Sequence, residues 1–266
     1  MSDPFADVDA VSSDFVEIIV AGLETRAADP SMLPIIDAYL DAIDVAPDSL
    51  VVDIGCGTGG VTRRIADRFA EARIVGLEPS VALTLKAQEL LGDRANLSFR
   101  VCDGAALDLT DGSADVAILH TVLSHVTDPG ALVAEARRIL RPGGTVVICD
   151  ADFSKASLGL VPGDPLGACA EAFVASSVTE AWLAGKLRSL VVGAGFTVES
   201  FDVATRLVTG GMGNLVWVKM STARLVADGV IGAPLAEALE AEYLRRAEAG
   251  TLYGFLPFFT MIARNA

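Results

Sequence analysis

At 266 residues, 52% of them hydrophobic, the chain can build a sizeable core as one large α/β domain or as a domain carrying a substantial insertion. The formal net charge of −15 and a pI near 4.4 disfavour nucleic acids and anionic membranes as partners, because such affinity rests on neutralising phosphates with lysine and arginine. Mean hydropathy is +0.49, yet no uncharged run reaches the ~18 residues of a spanning helix, so no stable membrane insertion is expected.

Residues 1–7 lack the basic start and apolar run of a secretory signal, which points to the cytoplasm. Cys56, Cys102, Cys149 and Cys169 form no CxxC and read as buried, reduced thiols. The first dozen residues are polar and acidic without periodicity and read as a frayed tail. Two helices follow, over 14–28 and 31–45, separated by Asp29 and Pro30. Leu33, Ile36, Leu40 and Ile43 give the second an apolar face, and both helices are placed to cover the mouth of a ligand site.

From Pro47 onward strands and helices alternate, which implies a parallel sheet with right-handed crossovers. Strands read over 50–54, 73–77, 97–102, 115–120 and 145–150, with helices over 60–70, 80–91 and 128–140. Arg141, Pro142, Gly143 and Gly144 break the last of these helices. Residues 151–176, interrupted by Gly159, Pro162, Gly163, Pro165 and Gly167, read as an irregular segment crossing the ligand end of the sheet. A helix over 179–194 and strands over 196–208 and 256–263 complete the core, while 209–250 holds two helical patterns, over 213–228 and 234–249. The domains expected are an N-terminal part, 1–46, a core, 47–208 with 251–266, and a helical cap insertion, 209–250.

The stretch from Leu50 to Gly60 organises the rest. An apolar run ends in Gly55, Gly57 and Gly59, which permit positive φ and close approach of the backbone to a ligand. The helix that starts near Gly60 aims unsatisfied N–H groups at the same point. Asp53 before the turn and Glu78 at the end of the next strand add two acids, and together these define a nucleotide-type cofactor site. Gly55, Gly57 and Gly60 also satisfy the dinucleotide fingerprint, with Glu78 where a ribose acid belongs, so an NAD(P)-dependent oxidoreductase is the competing reading. Against it, Asp53 has no evident role beside a pyrophosphate, and no tyrosine is followed four residues later by lysine.

Over roughly residues 48–150 the chain resembles the class I S-adenosylmethionine-dependent methyltransferases, most closely the small-molecule group similar to those of ubiquinone and menaquinone biosynthesis. The resemblance rests on residues 51–59, 75–79, 102–105, 115–119, 123–128 and 138–144, in this order and at these spacings. It implies an α/β, Rossmann-like, seven-stranded and mostly parallel sheet with helices on both faces and an antiparallel last strand. It implies S-adenosyl-L-methionine as cofactor. Asp53 would lie beside its amino-acid portion, Gly55, Gly57 and Gly59 would pass against ribose and methionine, and Glu78 would accept from both ribose hydroxyls. Asp103 would take the adenine amine, with Gly104 and Ala105 contacting the ring through their backbone. The cofactor's sulfonium and ammonium suit an acidic lining. A protein that keeps this pocket but does not methylate is a third reading.

His120 ends strand 115–120 on the ligand side and is the candidate catalytic base, since an unperturbed histidine titrates at about 6.5. His125 lies in the loop beyond and reads as structural. No CxxC or HExxH accompanies them, so no metal is expected. Asp150 and Asp152, at the end of strand 145–150, are the other acids aimed at the site, unless they serve only a strand-end turn. Leu215, Trp217, Val218, Leu225, Val226, Leu235, Leu239 and Tyr243, with Phe153, Leu158, Leu160 and Phe173, supply apolar material around the open end of the sheet. The expected partner is therefore a small, hydrophobic acceptor molecule, of the natural-product or isoprenoid kind. Oligomeric state leaves no mark in the sequence.

Overall fold

The computed structural model describes residues 3–104, 106–210 and 214–266. At its centre is Leu50–Ile54 (β1), buried at every position because it pairs on both edges and is covered on both faces. Arg73–Glu78 (β2), Leu97–Val101 (β3), Ala114–His120 (β4) and Leu140–Ala151 (β5) join it in the order β3-β2-β1-β4-β5, all parallel. Gly254–Asn265 (β8) runs antiparallel on β5, as expected of the last strand, and Phe196–Val208 (β7) runs antiparallel on β8. An eighth strand, the two-residue Ser157–Leu158 (β6), continues the edge of β8 beyond β5. The sheet therefore has one strand more than the seven expected, and that strand is too short to carry a period.

Because neighbouring residues of a strand face opposite ways, the central strands feed two cores. Val51, Val116, Ile118 and Val147 face one side, with Ile36 and Tyr39 of Leu33–Asp41 (α2), Ile65 of Gly60–Arg68 (α3) and Ala87 of Val81–Glu89 (α4). Phe173 of Pro165–Ser177 (α6) and Trp217 of Leu215–Ala227 (α8) join that same core. Val52, Ile54, Ala117 and Ile148 face the other, against Val133 of Pro129–Ile139 (α5) and Leu187 of Leu183–Gly193 (α7). The sequence 209–250 contributes α8 and Ala233–Glu248 (α9), which pack on each other and on α6.

Three expectations change. The supposed tail is anchored: Asp3 is buried and accepts from the backbone N–H and hydroxyl of Thr179, 3.0 Å each, while Asp9 accepts from Ser80 Oγ and the first N–H groups of α4. Acids without periodicity can still be structural when their partners lie elsewhere in the chain. Arg141–Gly144 does not separate a helix from a strand. The pairing of β4 with β5 starts at Ala114 and Leu140 and resumes at Val116 and Thr145, so these residues bulge out of one long strand, with Gly143 at φ +74°. The second part of the segment 151–176, from Pro165 on, is ordered into α6, because Pro165 sits at its first turn and Asp164 accepts from Leu166 N–H as its cap.

Candidate functional site

The carboxyl ends of β1, β2 and β4 open into a cavity of about 390 Å³, inside the ~300–1,000 Å³ range of small-molecule and cofactor sites. Asp53, Gly55, Gly57, Glu78, Asp103, Gly104 and His120 all line it. Ala105 lies outside the described residues. Gly59 does not reach the cavity wall; it caps α3 in the left-handed region at φ +76°, and a Cβ there would stand 2.4 Å from the Phe99 ring. Its glycine is therefore required by packing behind the turn.

Each acid is held by its neighbours. Glu78 Oε2 accepts from Gly57 N–H at 2.9 Å and Oε1 from Ser80 N–H at 3.0 Å, which fixes the carboxylate across the glycine turn. Burial raises its pKa, opposed by those two N–H groups. Asp53 is 2% exposed and accepts from Thr62 Oγ1 at 2.6 Å. Burial pushes it up to about 7 despite the Thr62 hydrogen bond, with Glu78 adding to the rise. Two desolvated carboxyls on one wall favour a cationic ligand, because a positive charge would restore the ionised form.

His120 differs from an unperturbed histidine. It reaches the cavity, and its Nδ1 lies 3.3 Å from the Tyr39 hydroxyl, but burial and the nearby Arg26 push its pKa down to about 3. It is a neutral imidazole across the physiological range, a weak base rather than one poised at neutrality. His125 also borders the cavity, with Nδ1 2.9 Å from Asp3 Oδ2 and its ring tilted against Phe5 at 4.8 Å. It ties the N-terminal segment over the site. Asp150 accepts from the Ser124 N–H and hydroxyl and holds the loop after β4. Asp152 accepts from Ser154 in a strand-end turn.

The N-terminal helices do cover the cavity mouth, as expected, but the residues that close it were not singled out in the sequence. Phe5, Val8, Leu23 and Arg26 close the cavity from the N-terminal side, the last two from Ser13–Ala27 (α1). Glu24 fastens that helix to the glycine turn, accepting from Thr58 Oγ1 at 2.6 Å and pairing with Arg63 at 2.6 Å. Thr121, at the tip of β4, has φ +56°, rare for a β-branched residue, and it accepts from Arg26 Nη2 at 2.8 Å. A second, mostly apolar cavity of about 40 Å³ adjoins the first, lined by Phe153, Phe173 and Trp217 among others. Phe173 and Trp217 stack there at 5.2 Å. Leu160 and Leu235, counted among the apolar material, are instead exposed. Among the described residues no cluster of His, Cys, Asp and Glu could hold a metal, and no helix is long and apolar enough to cross a membrane.

A parallel sheet with an antiparallel end and a glycine turn flanked by two acids defines a nucleoside-type cofactor-binding α/β fold. Residues 52–148 match the methyltransferase domain family, so the chain carries a class I S-adenosylmethionine-dependent methyltransferase domain, whose cofactor is S-adenosyl-L-methionine. The trans-aconitate 2-methyltransferase of Methylobacterium nodulans is 28% identical over 87% of this chain and 88% of its own. Phosphoethanolamine N-methyltransferase 2 of Haemonchus contortus, solved with phosphomonomethylethanolamine and S-adenosylhomocysteine, superposes with a TM-score of 0.61 at 18% identity, covering 97% of this chain and 58% of its own. The [4+2]-cyclase SpnF superposes with a TM-score of 0.60 at 18% identity over 99% and 97%. At such identities the structures show the fold alone. The chain spans 65%, 41% and 23% of the length of three other curated relatives that it matches.

Proposed function

We propose that the protein transfers a methyl group from S-adenosylmethionine to an oxygen, nitrogen or carbon of a small, largely apolar acceptor. The observation that carries this is the pair Asp53 and Glu78, buried on the wall of one cavity with Gly55 and Gly57 between them. The residues present fit the cofactor: Glu78, its two oxygens braced by Gly57 and Ser80, offers its remaining lone pairs to a ribose diol. Asp53 supplies negative charge near the ammonium and sulfonium, and Asp103 with Gly104 faces the base. When bound, S-adenosylmethionine supplies an electrophilic methyl group whose leaving group departs neutral. The protein's part is then mainly to align the acceptor and exclude water.

His120, its Nδ1 held by the buried Tyr39 hydroxyl behind the cavity wall, presents a neutral imidazole to the acceptor's reacting atom. Because His120 is deprotonated at any pH well above 3, turnover on a given acceptor has no histidine limb between pH 5 and 9. His120→Gln is expected to slow turnover by roughly 10–100-fold, within the range of a lost polar contact in a transition state, without changing the shape of the pH profile. A native profile with an inflection near pH 6.5 that the variant abolishes would restore His120 as a base of ordinary pKa.

The apolar character of the acceptor is supported by Phe153, Phe173 and Trp217 beside the cofactor cavity. Trp217 is also core, so Trp217→Phe is the informative change: it keeps an aromatic ring while altering the cavity wall. We expect the acceptor's KM to rise several-fold, about 1 kcal/mol of binding, with cofactor affinity unchanged. A panel of lipophilic acids, phenols and isoprenoids incubated with deuteromethyl-labelled cofactor tests the reaction itself. Label in a small product supports methylation; cofactor binding without label in any of them would favour a protein of this fold with other chemistry, as the name of the structural neighbour SpnF illustrates.

A further inference from the structure

The two cavities meet beneath α1 and share Phe5, Leu23, Arg26, Thr121 and His125 in their walls. Arg26 and Arg206 are the arginines among their described lining residues. Arg206 is fully engaged, donating to Asp29, to Ser31 Oγ at 2.8 Å and to Asn214 Oδ1 at 2.6 Å. Arg26 is not. Its guanidinium donates through Nη2 to Thr121 Oγ1 at 2.8 Å, and it forms no ion pair within 4.0 Å among the described residues. Asp150, the acid acting on it at longer range, is taken by Ser124 and by the N–H of Ala151.

A largely desolvated guanidinium without an anion is costly, and burial together with Arg206 lowers its pKa to about 10, which still leaves it charged at neutral pH. Proteins resolve such a charge with a partner, and the partner here has only the cavities to come from. The guanidinium is tied to the tip of β4 rather than to the glycine turn, and it is common to both cavities. Beyond it the smaller cavity is bounded by Phe153, Phe173, Trp217, Leu256 and Phe258, and at about 40 Å³ it takes only the tip of an apolar group. We infer that Arg26 is an anion anchor for the acceptor, which carries a carboxylate beside its apolar body and lies with the carboxylate on Arg26 and its apolar end toward Phe173 and Trp217. This rests on the methyl-transfer reading above and narrows it to amphipathic organic acids. The fork of the guanidinium suits a carboxylate, which it can bind through two parallel hydrogen bonds.

The test uses the full chain saturated with S-adenosylhomocysteine, titrated with hexanoate, octanoate and cinnamate and with the corresponding neutral amides. At least one acid is expected to bind the native protein about tenfold or more tightly than its amide, Arg26→Gln to erase that preference, and Arg26→Lys to keep part of it. The affinity for S-adenosylhomocysteine is expected to stay within about threefold in both variants, since less than 1 kcal/mol is at stake if Arg26 does not touch it. Should the glutamine variant fail to fold, the lysine variant decides, because a point charge without the fork must weaken the preference. Equal binding of acids and amides, or no binding of any acid, overturns the inference. So does a large loss of S-adenosylhomocysteine affinity in the variants with the acid preference intact, which would give Arg26 to the cofactor's own carboxylate. Failure of the native protein to bind S-adenosylhomocysteine at all would instead strike at the methyl-transfer reading and remove this inference with it.

Discussion

Glu78→Ala is expected to weaken cofactor binding by roughly 1.5–3 kcal/mol, or about 10–150-fold, the size of a loss of hydrogen bonds to a charged group. The expectation comes from the geometry of the side chain. Glu78 is 6% exposed, and its oxygens are already oriented by Gly57 N–H and Ser80 N–H, so no rotamer entropy remains to be lost when a diol binds. Removing it also releases the Gly57 N–H and loosens the turn that faces the ligand. Calorimetric titration of native and variant protein measures the difference. An unchanged affinity would mean that Glu78 serves only to brace Gly57 and Ser80, and the ribose reading would fall.

Asp53→Asn should move stability and affinity in opposite directions. An unfolded Asp53 titrates near 3.8, whereas burial in the ligand-free fold holds its proton until about 7. Between those values the folded state binds more protons than the unfolded one, so stability falls as pH rises through the window. The penalty is absent below 3.8 and complete above about 7. At ~1.4 kcal/mol per tenfold change in proton affinity its ceiling is roughly 4 kcal/mol, and water entering the open cavity trims this to about 1–3 kcal/mol. Asparagine lacks the charge but keeps an oxygen for Thr62. The ligand-free variant should therefore melt higher than the native protein at pH 8, with the advantage fading toward pH 4, while its affinity for the cationic cofactor drops. A variant that melts lower than the native protein at pH 8 would show that Asp53 is not a strained acid kept for its ligand.

What could be read from the sequence was what is local in it. The strand, turn and helix from Leu50 to Arg68 follow from a short apolar run, glycines and a helix start within one stretch, and Asp53 and Glu78 stand out because acids at strand ends are conspicuous against apolar neighbours. That the N-terminal helices cover the site was legible, but the contacts that hold the roof in place were not. Asp3 meets His125 across 122 positions and Thr179 across 176, and nothing in a polar N-terminus signals either partner. Arg26 looks like any surface arginine of an amphipathic helix until Thr121 and the cavities are placed beside it. Gly59 has a second reason to be glycine that the sequence does not show: a glycine in a ligand loop is read as serving the ligand, while Phe99, from a strand two places away in the sheet, also demands it. The place of His120 at the cavity was legible from its strand end, but its lowered pKa was not, because burial and a neighbouring guanidinium are tertiary facts.

The cavity between β1, β2 and β4 suits S-adenosylmethionine rather than a dinucleotide. Calorimetric titration of the purified chain with S-adenosylmethionine, S-adenosylhomocysteine and NADH tests this most directly. Saturable binding of the first two at one site per chain is expected, with no measurable heat from NADH; saturable NADH binding with S-adenosylmethionine silent would overturn the cofactor assignment.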